Sequence, residues 1–317
     1  MLSLALFLHY STIALTVAIN SLGVGIGEGI ASLAALRAIN KQPSASSDIM
    51  KTAVFGMALI ETAAIMGVII SIMLIFGTPT GSVSLYTSLA EVGIMLAICL
   101  AGLVIGIVSA FPVQQACHAI ARQPFFSTKI ARFMLITQSI IQTPIIFGFL
   151  IAVYIHEQAH LATTLSEGVR LLACGLSIGL GSIGPAIGLA HFAKVACRSL
   201  GINRSAYPKL LTFTFLSEAI IETPIIFAMI VSLLIMISTP NPKLATAIAL
   251  ISAAFSIGIG TFGTGISSGR TAAQACHQIA RNPEQANVLS KVSMFAQGLM
   301  DTIAIYALLV ALALLFF

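Results

Sequence analysis

Eight apolar runs, each long enough to cross a bilayer, decide what this 317-residue chain can fold into. They cover roughly 4–36, 50–76, 89–121, 127–155, 168–200, 207–237, 244–279 and 288–315, and a helical span needs about 20 residues. No water reaches the hydrocarbon, so each run must satisfy its own backbone, which a helix does. Charged residues make up 8% of the chain, against about 25% in a soluble domain. The expected fold class is therefore an all-α membrane protein with eight transmembrane helices. Met1–Tyr10 has no basic stretch, so no cleavable signal peptide is expected.

The runs come in pairs, and the pairs repeat. A residue in each even-numbered run lies 18 positions after a residue in the preceding polar connection: Pro43 to Glu61, Pro124 to Gln142, Arg204 to Glu222 and Pro283 to Asp301. Threonine follows each one, as Thr62, Thr143, Thr223 and Thr302. Cys117, Cys197 and Cys276 also recur in register. The period is about 80 residues, one helical hairpin per copy. The expected units are 1–80, 81–160, 161–241 and 242–317. With two helices per copy, all four share one orientation, unlike the inverted repeats of many transporters.

Two kinds of connection alternate. Arg37, Lys41, Lys51, Arg122, Lys129, Arg132, Lys194, Arg198, Arg204, Lys209, Arg270, Arg281 and Lys291 lie near the connections inside the hairpins. Only Arg170 and Lys243 lie near those between hairpins. The positive-inside rule puts the first kind in the cytoplasm and both termini on the opposite side. It also accounts for the net charge of +5 without nucleic acid, which so apolar a chain is not expected to bind.

The odd-numbered runs are rich in small residues. The first reads Gly23-Val-Gly-Ile-Gly-Glu-Gly29, and the fifth and seventh carry Gly179, Gly181, Gly184 and Gly188, then Gly258, Gly260, Gly263, Gly265 and Gly269. Glycine weakens an isolated helix by roughly 1 kcal/mol per residue, but in a membrane it lets backbones approach. An inner layer of glycine helices inside a bulkier outer layer is expected. No strand precedes the Gly-x-Gly pattern, so it does not mark a nucleotide site. No phosphate-binding loop is present, so the chain by itself is not expected to be an enzyme.

Chemistry concentrates on acids at bilayer depth, where a charge costs at least about 2.5–3.5 kcal/mol. Glu28, Glu61, Glu218, Glu222 and Asp301 fall there, and no Lys or Arg lies at matching depth. A low dielectric disfavours the charged carboxylate, so such a group is stable when it holds a proton or a cation. Glu28 lies 15 residues before Pro43 and Glu61 18 after it. Both then stand about 22–27 Å from the connection and can meet side by side. Glu218 and Glu222 share a helix face at i, i+4, and Gln138 and Gln297 occupy the Glu218 position in their own copies. Glu218, Gln138 and Gln297 are read as polar support rather than separate carriers. The Cys-His pairs and the Met57, Met66 and Met73 series are read as packing, not metal ligands. The five cysteines include no Cys-x-x-Cys and suggest no disulfide framework.

These features together resemble the proteolipid c subunit of F-type ATP synthases. The resemblance rests on the Gly-rich first helices, on Ala121-Arg-Gln-Pro124 and Ala280-Arg-Asn-Pro283, on the mid-membrane acids, and on Asp301-Thr-Ile-Ala-Ile-Tyr306. It covers nearly the whole chain as four fused copies, where the family usually has one. It implies a rotor ring of several such chains, turning against the stator's a-type subunit, with the polar loops gripping central-stalk subunits and with lipid around the ring. By the same mapping Glu61, Glu222 and Asp301 carry ions, Glu28, Thr62, Thr223 and Thr302 assist, and Tyr306 supports. Gln142 cannot ionise, so hairpin two should be silent in transport. The stalk-contact residues would be Arg37, Gln42, Pro43, Arg122, Gln123, Pro124, Arg281, Asn282 and Pro283; Arg204 replaces the third proline, which weakens the match there. No cofactor is implied beyond the transported proton, or sodium at Glu61 and Glu28, and a bacterial inner membrane is the expected setting. A hard cation needs several oxygens, and Ser109, Leu189 and Ser268 at the Glu28 position are poorer ligands, which favours protons. A vacuolar-type proteolipid and a self-contained ion transporter or channel remain alternatives.

Overall fold

The computed structural model describes residues 2–77, 83–238 and 244–316; Lys243 lies outside them. Among them eleven α-helices follow in order: α1 (Leu2–Lys41), α2 (Ser46–Ile60), α3 (Thr62–Gly77), α4 (Leu85–Val108), α5 (Ala110–Arg122), α6 (Ser127–Ile141), α7 (Thr143–Ala159), α8 (Leu165–Leu200), α9 (Tyr207–Ile237), α10 (Leu244–Arg281) and α11 (Ala286–Phe316). No strand occurs among the described residues. The pairs α2–α3, α4–α5 and α6–α7 are each one span, so the helices make eight spans long and apolar enough to cross a membrane. The chain is an integral, multi-pass membrane protein of four hairpins.

The interruptions have local causes. Pro144 supplies no N–H to the turn before it and Pro112 none to Val108, which loosens the chain at Gln142 and Ser109. At Glu61 the ladder runs on: Glu61 N–H donates to Met57 O at 3.0 Å, and Ile65 N–H to Glu61 O at 3.1 Å.

The helices are longer than the apolar runs. Arg37, Arg122 and Arg281, expected in loops, lie on the last turns of α1, α5 and α10, because nothing in Arg-Ala-Ile-Asn-Lys or Ala-Arg stops a helix before the proline does. Each connection then ends in a single 3₁₀ turn, Pro43–Ala45, Pro124–Phe126, Arg204–Ala206 and Pro283–Gln285, entered through one residue except in the third, which is entered through 201–203. The third turn forms without proline. Asn203 caps it instead, its Oδ1 accepting from Ser205 N–H at 3.0 Å.

The inner layer follows chain order: α1 packs on α4 and α5, these on α8, and α8 on α10. Backbone meets backbone along it. A Cβ on Gly27 would run into the Gly106 carbonyl oxygen, and one on Gly188 into that of Gly265. The outer helices each lean on their own inner partner, and α3, α7 and α9 also touch the next inner helix. Two polar ties repeat at the short-turn end. Gln123 Nε2 donates to Gly201 O at 3.1 Å, and Asn203 Nδ2 to Ala280 O at 3.0 Å, each reaching the same register position of the next hairpin.

At the opposite end a buried pair joins hairpins one and two. His9 Nδ1 lies 2.8 Å from Glu91 Oε2, both side chains are buried, and Ser88 Oγ donates to Ala5 O at 2.9 Å beside them. Arg170 occupies the His9 position in hairpin three and donates to the Met236 and Ser238 carbonyls, linking α8 to the end of α9.

Two substitutions probe this packing. Gly188→Ala should destabilise the chain by about 1–3 kcal/mol, the usual cost of overpacking. Gly298→Ala meets no atom within 4 Å and should leave stability unchanged or raise it by up to about 1 kcal/mol through helix propensity. Thermal unfolding in detergent reads both, and equal effects would rule out the backbone contact as the constraint. Separately, Glu91→Ala removes the buried partner of His9 and should cost about 1–3 kcal/mol in the same assay.

Candidate ion-binding site

Glu61, Glu222 and Asp301 lie halfway along the outer helices and Glu28 on inner helix α1, each facing a different environment. Glu61, where α2 gives way to α3, is exposed, and Glu28 on α1 is partly buried and its electrostatic neighbour. The two helices are fastened beside them by Ser32, whose Oγ donates to Glu28 O at 2.7 Å and contacts Met57 Sδ at 3.2 Å. Depth alone put these carboxyls together, since α1 and α2 leave one short turn in antiparallel fashion. Two facing carboxylates cannot both be ionised cheaply, so the pair is suited to sharing a proton or a cation.

Glu222 on α9 is partly buried, and the side chain of Thr143 stands beside it. Thr143 belongs to hairpin two, so the carboxyl and its hydroxyl come from neighbouring hairpins. The threonines that follow the acids in sequence are occupied elsewhere: Thr223 Oγ1 donates to Ala219 O at 3.2 Å and Thr302 Oγ1 to Leu299 O at 2.6 Å. Each backbond is internal to its own helix. Thr62 is partly buried. A threonine follows the carrier position in every copy, so nothing in the sequence signals that the hydroxyl reaches across.

In hairpin four Asp301 is partly buried and its Oδ1 has no partner among the described residues. Ser268, at the Glu28 position there, points its hydroxyl to Met300 Sδ at 3.8 Å. Tyr306 is 63% exposed, on the outer face and away from the buried polar atoms. In hairpin two Gln142 is only 4% exposed and neither amide atom is paired among the described residues. Gln138 is fully buried; its Nε2 donates to Gly56 O at 2.8 Å and Ser109 O at 3.2 Å. Gln297 Nε2 donates to Ser293 O at 3.3 Å and to Ser217 Oγ at 3.4 Å. Both glutamines therefore bridge neighbouring hairpins, one helical turn from the carrier position.

The short turns present Pro43 exposed and Gln123, Pro124 and Pro283 partly so. Gln42 donates to Ser44 Oγ at 2.8 Å, whereas Gln123 is tied to the next hairpin as described above. Asn282 is exposed. No group of three His, Cys, Asp or Glu side chains suited to a metal occurs among the described residues. The five cysteines are free and buried. His9, Glu91 and Thr143 are the polar residues that sequence reasoning missed. His9 and Arg170 sit at matching intervals before Pro43 and Arg204, a signal that was available.

Four hairpins, each with a glycine-packed inner helix and a carboxyl or amide held at mid-span, define a membrane helical-hairpin repeat protein. The family model for the ATP synthase C subunit matches four times, at residues 12–74, 92–155, 172–235 and 251–314. The chain belongs to that family. It is similar to the second ATP synthase c subunit of Cereibacter sphaeroides, 40% identical over 76 residues, which is 24% of this chain and 92% of that protein. The second ATP synthase c subunit of Pelobacter propionicus is 38% identical over 72 residues, 23% of this chain and 79% of its own length. The chloroplastic ATP synthase c subunit of Phaeodactylum tricornutum is 44% identical over 71 residues, 22% of this chain and 87% of its own. Each relative corresponds to one hairpin.

A double-mutant cycle tests the crossing hydroxyl. Thr143→Val with Glu222→Gln should show a coupling of about 1 kcal/mol, as for an ordinary hydrogen bond. Thr223→Val with Glu222→Gln should show almost none. The reverse ranking, in reversible unfolding in mixed micelles, would place the hydroxyl on the wrong hairpin.

Proposed function

We propose that this chain is an ion-carrying, non-catalytic component of the rotor ring of a membrane rotary ATP synthase. In it Glu61, Glu222 and Asp301 load and release protons as the ring passes its stator, and Gln142 marks a hairpin that does not load. What carries this reading is the fourfold match to the ATP synthase C subunit family; Thr143 standing beside Glu222 supports it, since such a pair would form a site across the seam between hairpins. Such a seam site draws its hydroxyl from the preceding hairpin. Hairpin one has no preceding hairpin within the chain, so by that register its hydroxyl would come from Thr302 of a second copy.

The free edges support such a neighbour. On α10 the surface facing α8 uses Gly258, Phe262, Gly265 and Gly269. The matching residues on α1 are Ala18, Leu22, Gly25 and Gly29. Leu22 is 60% exposed, and Gly25 and Gly29 have open space around them. On the far edge of α10, Ile259 and Gly263 match the Leu180 and Gly184 surface of α8 and are equally open. One copy's α1 therefore fits the next copy's α10 as α10 fits α8. The exposed apolar outer face would meet lipid and the stator, and the basic short-turn end would meet the central stalk. That end would be cytoplasmic in a bacterial inner membrane. Protons suit the sites better than sodium, since Glu222 and Asp301 each gather few oxygens; Glu61 with Glu28 is the best sodium candidate.

Labelling with a hydrophobic carbodiimide, which attacks protonated carboxyls, tests the reading. At low pH, peptide mapping should find adducts on Glu61, Glu222 or Asp301 and none in the hairpin carrying Gln142. Sodium should not protect Glu222 or Asp301. Labelling absent from all three would defeat the carrier assignment, and sodium protection of all three would make the ion sodium.

A further inference from the structure

We propose that Glu218 is a fixed proton site: a carboxylic acid held neutral so that its hydroxyl can donate to a main-chain carbonyl. Glu218 is 0% exposed, and neither carboxyl oxygen has a partner among the described residues. Its position is that of Gln138 and Gln297, where a donor is what the surroundings require. Gln138 Nε2 donates to the carbonyls of Gly56, on the preceding hairpin's outer helix, and Ser109, on its own inner helix. The same register around Glu218 brings Thr137 and Leu189 to those places. Gln297 confirms the register, since it reaches Ser217, the counterpart of Thr137 one hairpin on.

A carboxylate has no hydrogen to offer and would set two acceptors against carbonyl oxygens in a dry seam. A neutral carboxyl has the length of glutamine and supplies one O–H donor. Leaving a buried polar group unpaired is costly, and leaving it charged is more so. The titratable groups facing Glu218 give an anion no help. They are Glu222 one turn along α9, and the thiols of Cys197 on α8 and Cys276 on α10. No Lys, Arg or His is among them. Hairpin three thus holds two protons of different kinds, an exchangeable one at Glu222 and a locked one at Glu218. The locked proton keeps the seam closed and keeps a second negative charge away from the carrier.

Infrared difference spectroscopy on the intact chain tests this. The native-minus-Glu218→Gln spectrum should contain the carbonyl stretch of a neutral carboxylic acid, unchanged from mildly acidic to alkaline pH. Ion transport by Glu218→Gln should stay within about twofold of native, since one buried donor replaces another. Absence of the band, a band lost together with that of Glu222 as pH rises, or a transport loss beyond about tenfold would each overturn the proposal. If the variant does not assemble, peptide mapping of native protein after carbodiimide treatment decides. Adducts on Glu222 alone support the locked site, and adducts on Glu218 refute it. The band does not depend on whether Glu222 carries an ion, so this inference and the proposed function fail separately.

Discussion

Close backbone contact between the inner helices is the constraint from which the rest follows. Association inside a membrane gains little from apolar burial and depends on packing. Glycine at the crossing of α8 and α10, and again where α1 meets α4, removes the side chains that would hold the helices apart. That contact fixes one hairpin against the next in both height and rotation. Only then can Thr143 of one hairpin reach Glu222 of another, or Gln138 reach Gly56. The polar chemistry is a consequence of the register.

The register also explains why the four copies differ at the carrier position without differing in fold. The seam accepts side chains of similar size and polarity at each position. Gln138, Glu218 and Gln297 hold one such position, and Glu61, Gln142, Glu222 and Asp301 hold another. In the proposed reading, changing acid to amide at the second removes an exchangeable proton while the fold is kept. Changing amide to acid at the first, in the same reading, calls for a proton that stays bound.

Much of this was legible in the sequence. Eight spans follow from run length, and the pairing of Glu28 with Glu61 follows from equal depth on antiparallel helices. What stayed hidden has physical causes. Helices run through Lys41, Arg122 and Arg281 because hydropathy marks where lipid ends, not where a helix stops. The His9–Glu91 pair joins residues 82 apart, and nothing local predicts their meeting. The Thr143 crossing was invisible because every acid is followed by its own threonine, and only the packing shows which hydroxyl arrives.

The central claim is that the chain is an incomplete arc whose two free edges complete one another. The mass of the detergent-purified particle tests it most directly. The account predicts a closed assembly of several 33.1 kDa chains, reduced to single chains by Gly25→Leu or Gly29→Leu at the open edge of α1. A native particle that is a single eight-helix chain would contradict it.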